Sequence, residues 1–390
     1  MNEHPRVAVA LGKLGSCVHG RLDPRNPFDD EGAFATGTVS GFWTIVRGLK
    51  ELGYNVDAYA DVREEIEEAE QLAGARVFHI DTWEHWTKFA PYDALVSILE
   101  SDLLDGAPKK SARVCVQWLN DFSYARANSL EIVDLFVSPS QTHADHLARK
   151  VHIPAEKIEV VPLSNNPELF ECVNDPRRPF SIAYASSPDR GLHHLLSMFP
   201  EIRKRVPRAE LRIYYRILPW MKDILDEKAH VGSKHWKRAQ EIAKAFDTLG
   251  VGGENGVNVI GQLTTAKMAA ELKRTEVLAY PLDPVKFTEG FSVTVLDACA
   301  AGCIPVIAGV DAFPELWEGA ARVIPGRPDA PGAREEWIRT IVDVLLAGEP
   351  EKMALQERAF ARARQLSRRN VARRWNEVLR AAITKKRTEV

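Results

Sequence analysis

Short apolar runs alternate with stretches whose apolar residues recur at helical spacing, and this pattern predicts alternating β-strands and α-helices. Residues 7–11 and 55–60 are predicted strands on either side of a helix over residues 39–52, which Gly53 ends. This order is typical of a Rossmann-like α/β domain. The acidic residues 63–73 predict a solvated helix. Further strands are predicted at residues 77–80, 94–98, 114–118, 135–140 and 158–163. A helix is predicted to follow the strand at 135–140 and to continue to residue 150.

The alternation resumes after a segment with three prolines, which predicts a second α/β domain. We place the first domain at residues 1–165, a linker at 166–179, the second domain at 180–366 and a C-terminal helix at 367–390. The apolar face of that last helix is predicted to comprise Val371, Trp375, Val378 and Leu379. In the second domain, strands are predicted at residues 180–184, 210–215, 258–261, 277–281 and 304–307, and helices at 192–199, 220–249, 266–273, 335–346 and 350–366.

Composition narrows the class of protein. A chain of 390 residues with 45% hydrophobic and 27% charged residues is expected to form two soluble globular domains. The net charge of −3 gives no general attraction to nucleic acid, so none is expected as a partner. Five scattered cysteines predict free thiols in a reducing compartment. Because the sequence shows neither a signal-peptide pattern nor an apolar span, we expect a cytoplasmic protein without a transmembrane segment.

The most informative stretch is residues 288–306, where a loop leads into a short apolar helix and then a strand. Ser292 is suited to cap the start of the helix, and Gly302 is suited to end it in a left-handed conformation. A helix start offers free N–H groups and partial positive charge to phosphate. Glu289 and Asp297 bracket this start, which suits a nucleotide sugar with hydroxyls on both sides of a diphosphate. A capped core helix with one solvated acid is an equally weighted alternative.

These residues and several others resemble the retaining glycosyltransferases of family 4, which have the GT-B fold. The family's E-x7-E pair followed by A-x-G and P-V is similar to Glu289, Asp297 and residues 300–306 here. Residues 160–166 with Phe170 resemble the family's V-x-P-N-G-V-D…F segment, and 138–140 its serine after a strand. Further similarities lie in residues 186–192, where Arg190 takes the place of the family's lysine, and in Trp375 of the final helix.

The resemblance implies two Rossmann-like domains facing each other across a cleft, with the C-terminal helix crossing back to the first domain. It implies that Glu289 faces the donor sugar, that Asp297 holds the ribose hydroxyls and that Arg190 neutralises the departing diphosphate. Backbone groups of the residues after Glu289, and of the first helix start, would hold the sugar and phosphates. These residues are Gly290, Phe291, Ser292 and Gly37.

The sequence departs from the family pattern at several positions. Asp297 is one methylene shorter than the usual glutamate, and the turn after Gly302 is one residue longer. No arginine stands a few residues before Arg190, where the family has one. Asn120 follows a strand at the position where relatives often have a histidine near the sugar. It could bond a sugar hydroxyl in a catalytic role, or it could cap a turn together with Asp121.

We therefore expect a glycosyltransferase that moves a sugar from a UDP-, GDP- or ADP-linked donor to an unknown acceptor, with retention and with neither a metal nor a cofactor. An epimerase of the same fold and a non-catalytic nucleotide- or carbohydrate-binding protein stay open as alternatives. A nicotinamide dehydrogenase is disfavoured because the G-x-G-x-x-G fingerprint is absent. The basic residues 362–386 leave open either a peripheral contact with an anionic membrane or, preferably, a solvated helix face.

Overall fold

Contacts divide the chain into two units in the computed structural model, which describes residues 4–12, 21–31, 36–83, 92–99, 102–105, 112–120, 129–171, 176–251 and 253–388. The first unit comprises Met1–Asn166, the short segment Glu289–Val293 and Leu366–Val390. The second comprises Pro167–Thr288 and Thr294–Gln365. Each unit contains one sheet.

The sheet of the first unit has eight strands in the order β3-β4-β2-β1-β5-β6-β7-β8. All neighbours pair in parallel except β3, which runs antiparallel to β4 at the edge. The central strands are buried almost throughout, as expected for a parallel sheet covered on both faces. The strands are Arg6–Leu11 (β1), Asn55–Ala60 (β2), Ile66–Ala69 (β3), Ala75–His79 (β4), Tyr92–Ile98 (β5), Ala112–Trp118 (β6), Leu135–Ser138 (β7) and Ile158–Val160 (β8).

The sheet of the second unit has six parallel strands in the order β11-β10-β9-β12-β13-β14. Counted from its own first strand this order is 3-2-1-4-5-6, the doubly wound Rossmann arrangement. The chain therefore changes direction across the sheet between β9 and β12. The strands are Ser181–Tyr184 (β9), Glu210–Ile213 (β10), Val257–Val259 (β11), Val277–Tyr280 (β12), Ile304–Gly309 (β13) and Arg322–Pro325 (β14).

Hydroxyl side chains mark the starts of several helices. Thr36, Ser140, Ser233 and Thr264 each accept a hydrogen bond from the backbone N–H three residues later. The described helices are Gly37–Glu51 (α1), Asp102–Asp105 (α2), Ser129–Ile132 (α3), Gln141–His146 (α4), Glu168–Glu171 (α5), Leu192–Arg205 (α6), Ile217–Asp226 (α7), Lys234–Leu249 (α8), Thr265–Arg274 (α9), Val293–Ala301 (α10), Phe313–Trp317 (α11), Ala333–Leu346 (α12), Glu349–Gln365 (α13) and Arg368–Thr388 (α14).

The C-terminal helix α14 packs on the first unit against α1 and β6. Its predicted apolar face is confirmed, because Val371, Trp375, Val378 and Leu379 are all buried. Trp375 meets Trp118 of β6 edge to face, with ring centroids 5.3 Å apart. No helix in the described part of the chain is both long enough and apolar enough to cross a membrane.

Two secondary-structure predictions are wrong. The acidic residues 63–73 contain the edge strand β3 and a short 3-10 turn, because Ile66 and Ala69 pair with β4 despite the helix-favouring glutamates. Residues 220–249 form two helices, α7 and α8, separated by a turn in which Gly232 has a φ of +81° and Ser233 caps the second helix. Both α11 and β14 lie where no element was predicted.

Candidate functional site at the carboxyl ends of the strands

The carboxyl ends of β9 and β12 meet where the strand order of the second sheet reverses, which is where open α/β sheets bind ligands. After β9 the chain forms a 3-10 turn over Pro188–Arg190, and α6 follows. After β12 it forms the long segment that leads to α10. The side chain of Thr294 in α10 donates to the carbonyl of Ala185 at 3.1 Å, so the start of that helix is joined to the segment after β9.

Arg190 belongs to a turn that is pressed against the end of β12. The N–H of Asp283 donates to the carbonyl of Arg190 at 3.3 Å. Gly191 has a φ of +125°, and an added Cβ would lie 1.9 Å from the carbonyl oxygen of Pro281. Only glycine fits this position, since a side chain would strain the backbone and collide with the strand end. The backbone of the turn that carries Arg190, which the sequence predicts to bind an anion, is therefore held in place by the end of β12.

Asp297 lies in the middle of α10 and is half-buried. Its carboxylate has no hydrogen-bond or ion-pair partner among the described residues, whereas buried polar groups are normally paired. Burial without a compensating cation raises the pKa of Asp297 to about 7, although part of the residue still reaches solvent. An unpaired acid that titrates near neutrality suits a ligand-binding role better than a structural one.

The far end of α10 confirms the prediction for Gly302, which has a φ of +66°. Its N–H donates to Cys299, and Arg177 donates to the carbonyl of Ala301 at 2.9 Å. Cys115, Cys299 and Cys303 are free thiols, as predicted. The helix therefore ends at the predicted turn, and hydrogen bonds hold the C-terminal end of the helix that carries Asp297.

The segment Glu289–Val293 groups with the first unit, where it contacts residues after β7. The hydroxyl of Ser140 donates to the carbonyl of Gly290 at 2.7 Å. A Cβ on Gly290 would lie 3.0 Å from the ring of His143, so glycine permits this close approach. Glu289, Phe291 and Ser292 are buried in the same segment.

Gly37 has a similar relationship to Val293. A Cβ on Gly37 would lie 3.2 Å from the Val293 side chain, so the start of α1 lies directly against this segment. The predicted roles of Gly37 and Glu289–Ser292 in binding a donor stay predictions. Their grouping in one unit is a finding.

A buried hydrogen-bond network supports the Ser140 contact. Ser138 donates to the carbonyl of Ser140 at 3.0 Å, and its oxygen lies 2.9 Å from Nδ1 of His143. The oxygen of Ser140 also accepts from the N–H of His143 at 3.2 Å. Burial lowers the pKa of His143 to about 4, so the imidazole is neutral at neutral pH. Sequence analysis named Ser138 and Ser140 only as a similarity and missed His143.

Asn120 follows β6 at the carboxyl edge of the first sheet. Both polar atoms of its side-chain amide are buried, and neither has a partner in the described part of the chain. The amide oxygen is free to accept hydrogen bonds and the NH2 group is free to donate two, so a sugar hydroxyl could bond to either of them. Asp121, its proposed partner in the alternative of a capped turn, lies outside the described residues.

Asp311 is another functional candidate that sequence analysis missed. It follows β13, has a φ of +53°, and accepts from the N–H of Thr288 at 2.9 Å, immediately before Glu289. Asp and Asn tolerate this left-handed backbone better than most residues. The sequence shows an Asp after a predicted strand, but it does not show that this Asp bonds Thr288, 23 residues earlier.

Among the described residues, one group has potential metal-ligand spacing: His193, His194 and Asp283, whose ligand atoms lie within 4.8 Å of one another. Both carboxylate oxygens of Asp283 already accept from arginines, one from Arg238 at 2.6 Å and the other from Arg327. A metal ion would have to displace these two cations, so the arrangement disfavours a metal here. Burial alone would raise the pKa of Asp283, but the two histidines and the two arginines outweigh it and hold the pKa below its ordinary value.

Comparisons with known proteins agree with this architecture. Residues 180–347 match the family model described as glycosyl transferases group 1. Sucrose-phosphate synthase from Thermosynechococcus elongatus has a TM-score of 0.68 at 14% identity, over 97% of this chain and 100% of that chain. A glycosyltransferase from Rickettsia africae has a TM-score of 0.68 at 11% identity, over 98% of this chain and 99% of that chain.

The Anabaena protein HepE, solved with UDP and glucose, has a TM-score of 0.66 at 16% identity, over 97% of this chain and 100% of that chain. A comparison with curated protein sequences gave no match. The chain thus has the two-domain GT-B fold, as predicted. Residues 180–347 match the model of the glycosyl transferases group 1 family, and this match together with the GT-B fold indicates a glycosyltransferase.

Proposed function

We propose that this glycosyltransferase uses a nucleoside-diphosphate sugar as donor, needs no metal, and transfers the sugar with retention to an acceptor hydroxyl. The observation on which this rests is the arrangement at the switch point of the second sheet. There a fixed turn bearing Arg190 adjoins a helix whose Asp297 carboxylate has no partner in the described part of the chain. The resemblance of Glu289 and Asp297 to the acidic pair of retaining family members supports retention.

Each residue has a defined task in this proposal. Asp297 accepts hydrogen bonds from the ribose hydroxyls. The guanidinium of Arg190 stabilises the negative charge that builds on the diphosphate as it leaves, which preorganised donors can do without a metal. Glu289 faces the donor sugar and Asn120 bonds one of its hydroxyls. The backbone of Gly290, Phe291 and Ser292 and the start of α1 at Gly37 hold the sugar and phosphates.

Two further observations support a nucleotide-sugar donor. The Anabaena protein of the same fold was solved with UDP and glucose. The helix start at Val293 and the turn before α6 supply backbone N–H groups at the carboxyl edge of a Rossmann domain, where phosphates commonly bind.

Isothermal titration calorimetry with UDP, GDP, ADP and their common sugar conjugates tests the proposal. We expect one base to be bound by the wild type and bound at least about tenfold more weakly by Asp297→Ala, since a buried ribose contact is lost. Equal affinity in both proteins would remove the ribose assignment.

Proton NMR of the bound donor with an acceptor panel then tests transfer and its stereochemistry. We expect the product to keep the anomeric configuration and Glu289→Ala to lose transfer while still binding nucleotide. Inversion would contradict retention, and full activity of Glu289→Ala would contradict its role. Conversion of the free donor without any acceptor would indicate the epimerase alternative.

A further inference from the structure

Arg238 of α8 is a buried arginine that bridges the two segments of the candidate donor site in the second unit. One guanidinium nitrogen donates to the backbone carbonyl of Asp189 at 2.6 Å, and another donates to the carboxylate of Asp283 at 2.6 Å. The first acceptor belongs to the turn after β9 and the second to the segment after β12. The planar fork of arginine suits two fixed acceptors, whereas lysine offers a single point charge.

Asp283 is the centre of this cluster and is only 4% exposed. Its carboxylate accepts from Arg238 and Arg327 and lies 3.0 Å from Nε2 of His194. Its own N–H donates to the carbonyl of Arg190. The carboxylate of Asp283 therefore pairs with two arginines, and the backbone N–H of the same residue bonds the turn.

The turn is consequently fixed at three successive residues. Arg238 holds the carbonyl of Asp189, Asp283 holds the carbonyl of Arg190, and Gly191 lies against the carbonyl of Pro281. The first contact is made by the Arg238 guanidinium, and the second by the backbone N–H of Asp283, whose carboxylate the same guanidinium bonds. Since Arg190 lies between them, the direction in which its side chain leaves the backbone depends on the same pair.

The arginines of the cluster are paired with carboxylates. Arg238 and Arg327 both bond Asp283, and Arg327 also pairs with Asp329 at 3.3 Å. Asp189 is paired separately with His235 at 3.1 Å. The turn beside these pairs lacks the upstream arginine of the family pattern, with Tyr184 and Ala185 at that place, which makes the position of Arg190 more important for an anion.

Stability alone does not explain such a pair. Buried ion pairs often contribute little net stability, because the desolvation of both charges offsets their attraction. A pair that joins two neighbouring loops at a ligand-binding edge has a different advantage, which is a fixed geometry before the ligand arrives.

We propose that Arg238 and Asp283 are positioning residues that hold the Arg190 turn in the conformation that binds the donor diphosphate. Neither residue is catalytic in this inference, because each acts through the backbone of the turn. The inference rests on the proposed function, since it assigns the turn to a diphosphate. It goes beyond that function by identifying what preorganises the anion site.

Nucleotide binding by Arg238→Gln tests the inference directly. Calorimetry with UDP, GDP and ADP is expected to show that the variant binds the preferred nucleotide at least about tenfold more weakly than the wild type, because displacing a binding group by even about 1 Å is costly. In transfer assays KM for the donor should rise more than kcat falls, since ground-state binding of the diphosphate is affected together with the transition state.

Lys352→Gln is a matched control. Lys352 of α13 also bridges a buried carboxylate and a backbone carbonyl, bonding Glu276 at 2.9 Å and Leu345 at 3.0 Å. Glu276, however, precedes β12 and so lies at the opposite, amino end of that strand. Loss of Lys352 should lower the free energy of unfolding, measured with urea, and leave nucleotide affinity at the wild-type value.

Arg238→Lys keeps the test decisive if Arg238→Gln does not fold. Lysine preserves the charge beside Asp283 but cannot span both acceptors, so its affinity should fall between those of the wild type and the glutamine variant. A folded Arg238→Gln or Arg238→Lys with wild-type affinity and KM would overturn the inference. A wild type that binds no nucleoside diphosphate would instead contradict the proposed function itself, and the inference with it.

Discussion

The hydroxyl of Ser140 donates a hydrogen bond of 2.7 Å to the carbonyl oxygen of Gly290, 150 residues further along the chain. Ser140 is 1% exposed, and its oxygen also accepts from the start of α4. The carbonyl that it holds belongs to the residue directly after Glu289. The position of the proposed catalytic segment therefore depends on a side chain at the end of β7.

Replacing Ser140 with alanine is expected to lower kcat by about tenfold or more and to weaken nucleotide binding by a smaller factor, because the alignment of Glu289 is lost while the proposed contacts of Asp297 and Arg190 remain. Loss of a buried hydrogen bond should also cost about 1–2 kcal/mol of unfolding free energy. Steady-state kinetics, calorimetry and urea unfolding measure the three quantities.

Thr248→Ala is the control for this variant, since Thr248 donates a comparable bond to the carbonyl of Lys244 on an exposed helix. It should leave kcat unchanged. A wild-type kcat in Ser140→Ala would show that the bond does not position the segment.

Space around Gly290 gives a second prediction. Its backbone is not left-handed, so alanine can adopt the conformation, but the added methyl would lie 3.0 Å from the His143 ring. Gly290→Ala is expected to lower activity, and adding His143→Ala, which removes the ring, should restore part of it. Activities of the four proteins in this double-mutant cycle measure the coupling. Strictly additive losses would mean that the two residues do not meet in the active protein.

These contacts also show which features could be predicted from the sequence. Runs of β-branched residues defined most strands, and Gly302 and the apolar face around Trp375 were found because local spacing encodes them. The edge strand β3 was missed because its glutamates favour a helix while pairing with β4 decides the outcome. The cluster at Asp283 was missed because Arg238 and Arg327 lie 45 and 44 residues away in the sequence. Contacts between distant loops leave no periodic pattern along a chain.

Protonation of His143 predicts a pH dependence of stability. Its pKa is about 4 in the folded protein because of burial, and about 6.5 in the unfolded chain. Unfolded chains therefore take up the proton first, and stability should fall as the pH decreases from about 6.5 to about 4, by at most about 3 kcal/mol. Urea unfolding at several pH values measures this fall.

His143→Asn supplies the comparison, because its amide can still donate to Ser138 but does not titrate. We expect this part of the pH dependence to disappear in the variant. His230→Asn, an exchange at a half-exposed histidine of another segment, should retain it. Identical profiles for wild type and His143→Asn would show that the imidazole is not buried in its neutral form.

Asp297 gives the last prediction, because its pKa of about 7 places its titration in the range where the enzyme is assayed. If the ionised carboxylate accepts from the ribose hydroxyls, affinity for a nucleotide sugar should rise by up to about tenfold from pH 6 to pH 8, as the ionised fraction grows. A nucleotide sugar is the proper probe because its diphosphate does not titrate in this range. Asp297→Asn should bind more weakly at pH 8 and lack the increase, whereas Asp223→Asn on the exposed face of α7 should bind like the wild type.

The stability of the folded protein should change with pH in the opposite direction. The pKa of Asp297 is higher in the folded protein than in the unfolded chain, so the carboxyl group stabilises the folded state at pH values below its unfolded pKa. This stabilisation is lost as the pH rises to about 7. Asp297→Asn should therefore be more stable than the wild type at pH 8 but not at pH 4, and a variant that is less stable at pH 8 would show that the charge has a partner in the folded protein.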